Sequence, residues 1–286
     1  MSTDLYVELA DGTRIGYAEV GDPEGPPVVY FHGNPGSRLE VDLPASRRAA
    51  EQLGIRLLAP DRPGMGLSSF RTFTVREYPQ LIGRFADILG LERFVVIGLS
   101  GGGKYACACA WGLHDRLSQV ALVSSTCSPD LPGAKATWNR QDRLLFTLAD
   151  RVPWLVRMVF AKFAPDARRD AESLLSMLDN LGPTDRDLLG REEFRQALAR
   201  SVAEAFRQGG RGVAHDNTLE ARPWNIPLDQ IQVPIQIWHG EDDRLVPPQA
   251  SRILADALPH ATTHFVPEAG HFMIADHVDN ILQSIL

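Results

Sequence analysis

The stretch Gly98-Leu99-Ser100-Gly101-Gly102-Gly103-Lys104-Tyr105 follows the apolar run Phe94-Val95-Val96-Ile97 and leads into Ala106-Cys107-Ala108-Cys109-Ala110. It fits two patterns. Gly98 to Lys104 matches the phosphate loop G-x-x-x-x-G-K, and Gly98 to Gly102 matches G-x-S-x-G, the turn that presents a nucleophilic serine. A phosphate loop needs Ser or Thr directly after its lysine, because that hydroxyl binds magnesium. Tyr105 stands there instead. Several strand-like runs precede the stretch, and the apolar-then-Asp strand that would supply a second magnesium contact is missing downstream. Arg56 to Asp61 has that form but lies upstream. The serine reading predicts more: a strand before Ser100, a helix after it, and an acid and a histidine later in the chain.

Around this stretch the chain alternates short apolar runs with helical spacing. Tyr6–Leu9 and Arg14–Val20 flank an Asp-Gly turn, the signal of a hairpin. Buried strands are expected at 26–33, 55–61, 93–98, 117–125, 233–240 and 262–270, with helices at 38–54, 74–90, 102–115 and 275–286. Pro79 must sit in the first turn of its helix or bend it. This predicts an α/β fold, a mostly parallel central sheet with helices on both faces. From about Cys127 to Asn225 no strand pattern occurs. Residues 136–151, 153–164, 166–181 and 191–210 all show helical spacing. About a hundred residues cannot be a structureless loop in a compact protein, so a helical insertion is expected. The division is 1–126 with 226–286 as the core and 127–225 as the insertion.

The 286 residues suit one large domain, 44 % hydrophobic and 23 % charged, as in ordinary globular proteins. A net charge of −7 weighs against nucleic acid, whose phosphates demand a basic face. Cys107, Cys109 and Cys127 form no disulfide framework and no metal pair, and read as small buried apolar residues. The opening residues carry neither a basic start nor an apolar stretch, so no signal peptide is expected, and no run is long enough to span a membrane. The cytoplasm is the expected location.

A serine hydroxyl needs a histidine to take its proton and a carboxylate to orient that histidine, in the chain order Ser, acid, His. The strand ending at Gly240 runs into Glu241-Asp242-Asp243, and the last strand ends in Gly270-His271. Both leave the same sheet edge as Ser100. The first oxyanion donor is then the N–H of Gly101, the residue after the nucleophile.

With these motifs together the chain resembles the α/β-hydrolase superfamily. His32-Gly33-Asn34-Pro35-Gly36, Asp61 to Ser68, Gly240 to Pro247 and Gly270-His271 match four of its motifs in order. The resemblance implies Ser100 as nucleophile, Asp243 as acid, His271 as base, Asn34 as second oxyanion donor and the insertion as a lid. It implies a serine hydrolase that cleaves a carboxylic ester of a small molecule through an acyl-enzyme, with no cofactor and no metal. The same triad in this fold also serves lactonases, C–C bond hydrolases and perhydrolases, and a receptor that has kept the triad is the reading from another class. The His32 to Pro35 loop also resembles that of haloalkane dehalogenases, which attack with aspartate. Ser100 stands at that position, and Gly101 where those enzymes place a halide-binding Trp.

Other polar residues have plainer readings. His32 holds the oxyanion loop, Asp61 and Arg62 brace a turn, and Lys104 is a charge on a helix surface. His239 and His264 lie within strands, where packing or local hydrogen bonds suffice. His215 and Asp216, adjacent in sequence, diverge and make no catalytic pair.

Overall fold

The computed structural model describes residues 2–176, 178 and 180–286. Eight strands form one sheet, β1 (Ser2–Glu8), β2 (Arg14–Gly21), β3 (Pro27–Phe31), β4 (Arg56–Pro60), β5 (Phe94–Leu99), β6 (Leu117–Val123), β7 (Ile235–Gly240) and β8 (Ala261–Val266). Their order is β1-β2-β4-β3-β5-β6-β7-β8. The pairs β1/β2 and β2/β4 are antiparallel. All others are parallel. Three helices alternate with the early strands: α1 (Pro44–Gln52), α2 (Tyr78–Ile88) and α3 (Gly103–Gly112).

Strand side chains alternate between faces, and both faces are covered. Val29 and Phe31 of β3 pack with Ile82 and Phe85 of α2 and Ala106 of α3. Val28 and Tyr30 pack on the other side with Ala49 and Ala50 of α1 and with Val278 and Ile281 of the last helix, α11 (Ile274–Gln283), numbered after those of the insertion and its successor. Every residue of β5 is buried, which is why its sequence is wholly apolar. The three cysteines are buried and free. Burial pushes the Cys107 thiol up to about 12, so no reactive thiolate forms there.

Between β6 and β7 the described residues form six α-helices, two 3-10 turns and no strand: α4 (Arg140–Arg151), α5 (Pro153–Arg169), α6 (Ala171–Ser176), α7 (Pro183–Gly190), α8 (Glu192–Ala205) and α9 (Arg211–Glu220). Helix α10 (Gln249–Ala257) joins β7 to β8. No described helix is long and apolar enough to cross a membrane.

The single helix expected over 38–54 is two pieces. A 3-10 turn, Arg38–Asp42, precedes α1, which starts at Pro44. Proline has no N–H to continue a helix but suits a helix's first turn. Pro79 likewise lies in the first turn of α2 rather than bending it. The helical spacing expected over 166–181 is divided between the end of α5 and α6, and Met177 and Asp179 lie outside the described residues. Helices α7, α9 and α10 are passed over by the sequence reading. Helix α9 has no apolar stripe because eight of its ten residues, polar ones included, are buried.

Candidate active site

Ser100 sits between β5 and α3 with φ +51°, the left-handed region. The left-handed backbone of this turn falls on the serine itself and not on the glycines around it. Those glycines supply space. A Cβ on Gly102 would lie 2.2 Å from the Phe31 carbonyl oxygen, and one on Gly98 would lie 2.8 Å from Ala106 Cβ. The turn therefore holds the Ser100 hydroxyl out at the C-terminal edge of the sheet.

His271 Nε2 lies 3.1 Å from Ser100 Oγ, and His271 Nδ1 lies 2.8 Å from Asp243 Oδ2. Asp243 is buried, whereas Glu241 and Asp242 are exposed. Its other oxygen, Oδ1, accepts the N–H groups of Leu245 and Val246, both at 2.9 Å. His239, expected to be held by packing or local hydrogen bonds, also reaches it, with Nε2 3.1 Å from Asp243 Oδ2. Burial would raise the Asp243 carboxyl, but the His271 charge and hydrogen bonds from His239 and His271 hold it at about 2. Burial would lower His271, but the charge and hydrogen bond of Asp243, helped by Asp185 and Glu40, carry it above the ordinary histidine value.

The loop after β3 packs against this turn. Asn34 Cβ lies 3.2 Å from where a Cβ of Gly101 would be, and the backbone N–H of Asn34 donates to no other described residue. His32 is fully buried; its Nδ1 sits 2.9 Å from the Gly33 carbonyl oxygen and its Nε2 accepts the Arg62 N–H. Arg62 does more than brace its own turn. Its guanidinium donates to the carbonyls of His32 and Gly33 and pairs with Asp216 at 3.0 Å. Beneath the loop, Glu40 accepts the Gly33 N–H at 3.0 Å and the Tyr30 hydroxyl at 3.0 Å. Burial raises its carboxyl to about 7 against those bonds.

Lys104 is not a surface charge. It is fully buried, pairs with Glu220 of α9 at 2.5 Å and donates to the Gly101 carbonyl at 2.8 Å. Its side chain turns inward because α9 brings a carboxylate to the turn that carries Ser100. His215 and Asp216 do diverge. His215 Nε2 faces the Phe73 backbone, while Asp216 accepts the Tyr105 hydroxyl.

Two cavities meet at Ser100 and His271. One, about 340 Å³, is lined by Phe160, Phe163, Phe194 and Phe206 from the helices between β6 and β7 and by Tyr30, Leu43, Leu99, Phe272 and Glu40 from the rest of the chain. The other, about 330 Å³, is more polar, with Asp142, Asn217, Glu220, Thr126 and Trp138. Neither lining contains a described lysine or arginine. Burial and the Glu220 charge raise the Asp142 carboxyl to about 6. The sequence reading missed Glu40, Asp142 and Glu220. Each sits in a helix or turn where an acidic residue ordinarily faces water. Among the described residues no group of three or more His, Cys, Asp and Glu is disposed to hold a metal ion.

A family model described as "alpha/beta hydrolase fold" matches residues 26–278. The chain is 36 % identical over 288 residues to haloalkane dehalogenase 2 of Mycobacterium tuberculosis, with 96 % of this chain and 90 % of that one covered. It is 24 % identical over 294 residues to a 2-hydroxy-6-oxononadienedioate/2-hydroxy-6-oxononatrienedioate hydrolase of Paraburkholderia phymatum, covering 100 % of this chain and 95 % of the other. Among solved structures it is similar to a thermophilic esterase of Thermogutta terrifontis, with TM-score 0.69, 22 % identity and coverage of 99 % and 97 % of the two chains.

Proposed function

The chain belongs to the α/β-hydrolase fold family, and on that premise we propose that it is a serine hydrolase of small carboxylic esters. The observation that carries the reading is the line from Asp243 Oδ2 through His271 to Ser100 Oγ, at 2.8 and 3.1 Å. His271 takes the hydroxyl proton as Ser100 Oγ attacks the ester carbonyl. The N–H groups of Gly101 and Asn34 receive the oxyanion. Collapse expels the alcohol, which takes its proton from His271. A water then gives a proton to His271 and attacks the acyl-enzyme carbonyl, and His271 returns that proton to Ser100 Oγ as the acid leaves. The helices over 127–225 act as a lid, since Phe160, Phe163, Phe194 and Phe206 wall the apolar cavity.

The dehalogenase likeness does not extend to the reaction. Serine displacing a halide would form an ether, which has no carbonyl for water to attack, so one turnover would end the enzyme. The dioate named for the Paraburkholderia relative carries two carboxylates. Here neither lining holds a described lysine or arginine, and Glu220 is already paired with Lys104, so a second substrate carboxylate would be buried without a cation, at a cost of several kcal/mol. The substrate read from this lining is neutral or cationic, with an apolar group for the larger cavity. Lactone cleavage would use the same atoms. A receptor that kept the triad would bind without turnover.

Repeated turnover of short-chain nitrophenyl esters separates enzyme from receptor. Asp243→Asn should lower kcat by about 10⁴, because it disturbs the tautomer and orientation of His271, while Asp242→Asn should cost little. Equal small losses would move the acid elsewhere.

A further inference from the structure

Asp185 is a buried carboxylate that the proposed mechanism does not use. It lies in the first turn of α7, within the helical insertion, and none of its surface reaches water. An acidic side chain near a helix N-terminus is ordinary, since the helix dipole favours it. This one does something else with its oxygens. Asp185 Oδ2 accepts the backbone N–H of His271 at 3.0 Å, and Oδ1 accepts that of Phe272 at 2.9 Å. It forms no ion pair with a described residue.

The neighbouring residues are arranged around this contact. A Cβ on Gly270 would lie 2.4 Å from the Asp185 carboxylate, so only glycine lets the carboxylate reach those two amides. Thr184 donates its hydroxyl to the Glu268 carbonyl at 2.9 Å, and Asn180 donates to the Arg244 carbonyl at 2.6 Å. One short segment, 180–185, thus touches both loops that carry His271 and Asp243. Nothing else from the insertion hydrogen-bonds to the His271 backbone among the described residues.

We infer that Asp185 is a positioning residue for His271, so that the helical insertion fixes the histidine as well as roofing the cavity. The inference rests on reading His271 as the base. Two effects follow from one carboxylate. Its hydrogen bonds fix the amides of residues 271 and 272, leaving the imidazole little freedom beyond its own side-chain torsions. Its negative charge also favours the imidazolium, and Asp185 is among the groups that carry His271 upward. Displacing or undocking the insertion would loosen the base and lower its basicity together.

Two variants separate charge from hydrogen bonding. Asp185→Asn removes the charge and one acceptor. Gly270→Ala keeps the charge but pushes the carboxylate off the amides. Both are read by the acid limb of kcat/KM, by kcat and KM on a nitrophenyl ester, by fluorophosphonate titration of competent sites and by thermal unfolding. For Asp185→Asn we expect the acid limb to move down by roughly half a pH unit, because a negative charge near the imidazolium is gone. Per titrated site, kcat should fall about tenfold or more with KM little changed, the signature of a misplaced catalytic group rather than a lost binding contact. Gly270→Ala should show the kcat loss with the acid limb in place. A merely structural staple would lower the unfolding temperature and the number of titratable sites, yet leave the limb and the per-site kcat alone. That outcome, or Asp185→Asn within about twofold of wild type in kcat with an unmoved limb, overturns the inference. If Asp185→Asn does not fold, Gly270→Ala decides, and a per-site kcat within about twofold of wild type overturns it. Ester turnover that survives Ser100→Ala would instead sink the reading of the site, and this inference with it.

Discussion

Lys104 Nζ lies 2.5 Å from Glu220 Oε2, and both side chains are out of water. The lysine that makes residues 98–104 look like a phosphate loop is therefore already spent on an internal carboxylate and on the Gly101 carbonyl. It braces the turn that carries Ser100 from behind. Asp216 Oδ1 stands 3.5 Å from the same nitrogen, so the cation is held by two acids of one helix.

Breaking that pair from one side should be costly. Lys104→Met leaves Glu220 buried without its cation, and chemical denaturation should show a loss of about 3–5 kcal/mol. Lys104→Met combined with Glu220→Leu should recover most of it, because a buried pair can often be replaced by apolar groups. A single-variant loss below about 1 kcal/mol would mean the pair is effectively hydrated.

The pH profile follows from His271. Its base form must be neutral, and its pKa is raised by Asp243. An isolated histidine would place the acid limb of kcat/KM at roughly 6 to 7. Here the limb should lie above the ordinary value of 6.5, with activity lost as the pH falls through it. A limb below 6.5, or a flat profile from pH 5 to 8, would contradict the arrangement of His271 with Asp243.

Charge should select substrates. A nitrophenyl ester ending in a methyl group should exceed its counterpart ending in a carboxylate by at least about tenfold in kcat/KM. Above its raised value of about 7, where Glu40 is ionised, Glu40→Gln should shrink that ratio, even though the variant also weakens the hold on Gly33. Equal rates on both esters would remove the argument against acidic substrates.

Halide chemistry should be absent despite the sequence likeness to a dehalogenase. Free bromide from 1-bromobutane, followed over many enzyme equivalents, should not accumulate. Asn34→Ala should retain much of the esterase activity, since only its backbone N–H is called on. Sustained bromide release that vanishes in Ser100→Ala would refute the ether argument and the esterase reading built on it.

Much of this was open to reading from sequence. The strands are legible because both sheet faces are covered, so β5 is apolar throughout. Ser100, Asp243 and His271 stand in short motifs whose spacing is set by strand ends. What escaped is polar and buried. Lys104 looks like a surface charge because the carboxylate that draws it in, Glu220, lies 116 residues away. Glu40 and Asp185 act by accepting backbone N–H groups, and any acidic residue could do so wherever the fold brings it there. Helix α9 hides because its polar residues are satisfied internally, which erases the amphipathic stripe. Helix α10, by contrast, carried a readable signal, with Pro247 and Pro248 ahead of helically spaced apolar residues.

The central claim is that Ser100 carries the acyl group. Wild type and Ser100→Ala, mixed briefly with 4-nitrophenyl butyrate, quenched in acid and digested, can be compared by peptide mass. The account predicts one butyryl group on the peptide containing Ser100 in wild type and none in the variant, with hydrolysis reduced by several powers of ten, to roughly the residual rate that an oxyanion hole and binding alone sustain. A butyryl group that persists at another residue in Ser100→Ala, or a variant keeping more than about a tenth of the wild-type kcat/KM, would contradict it.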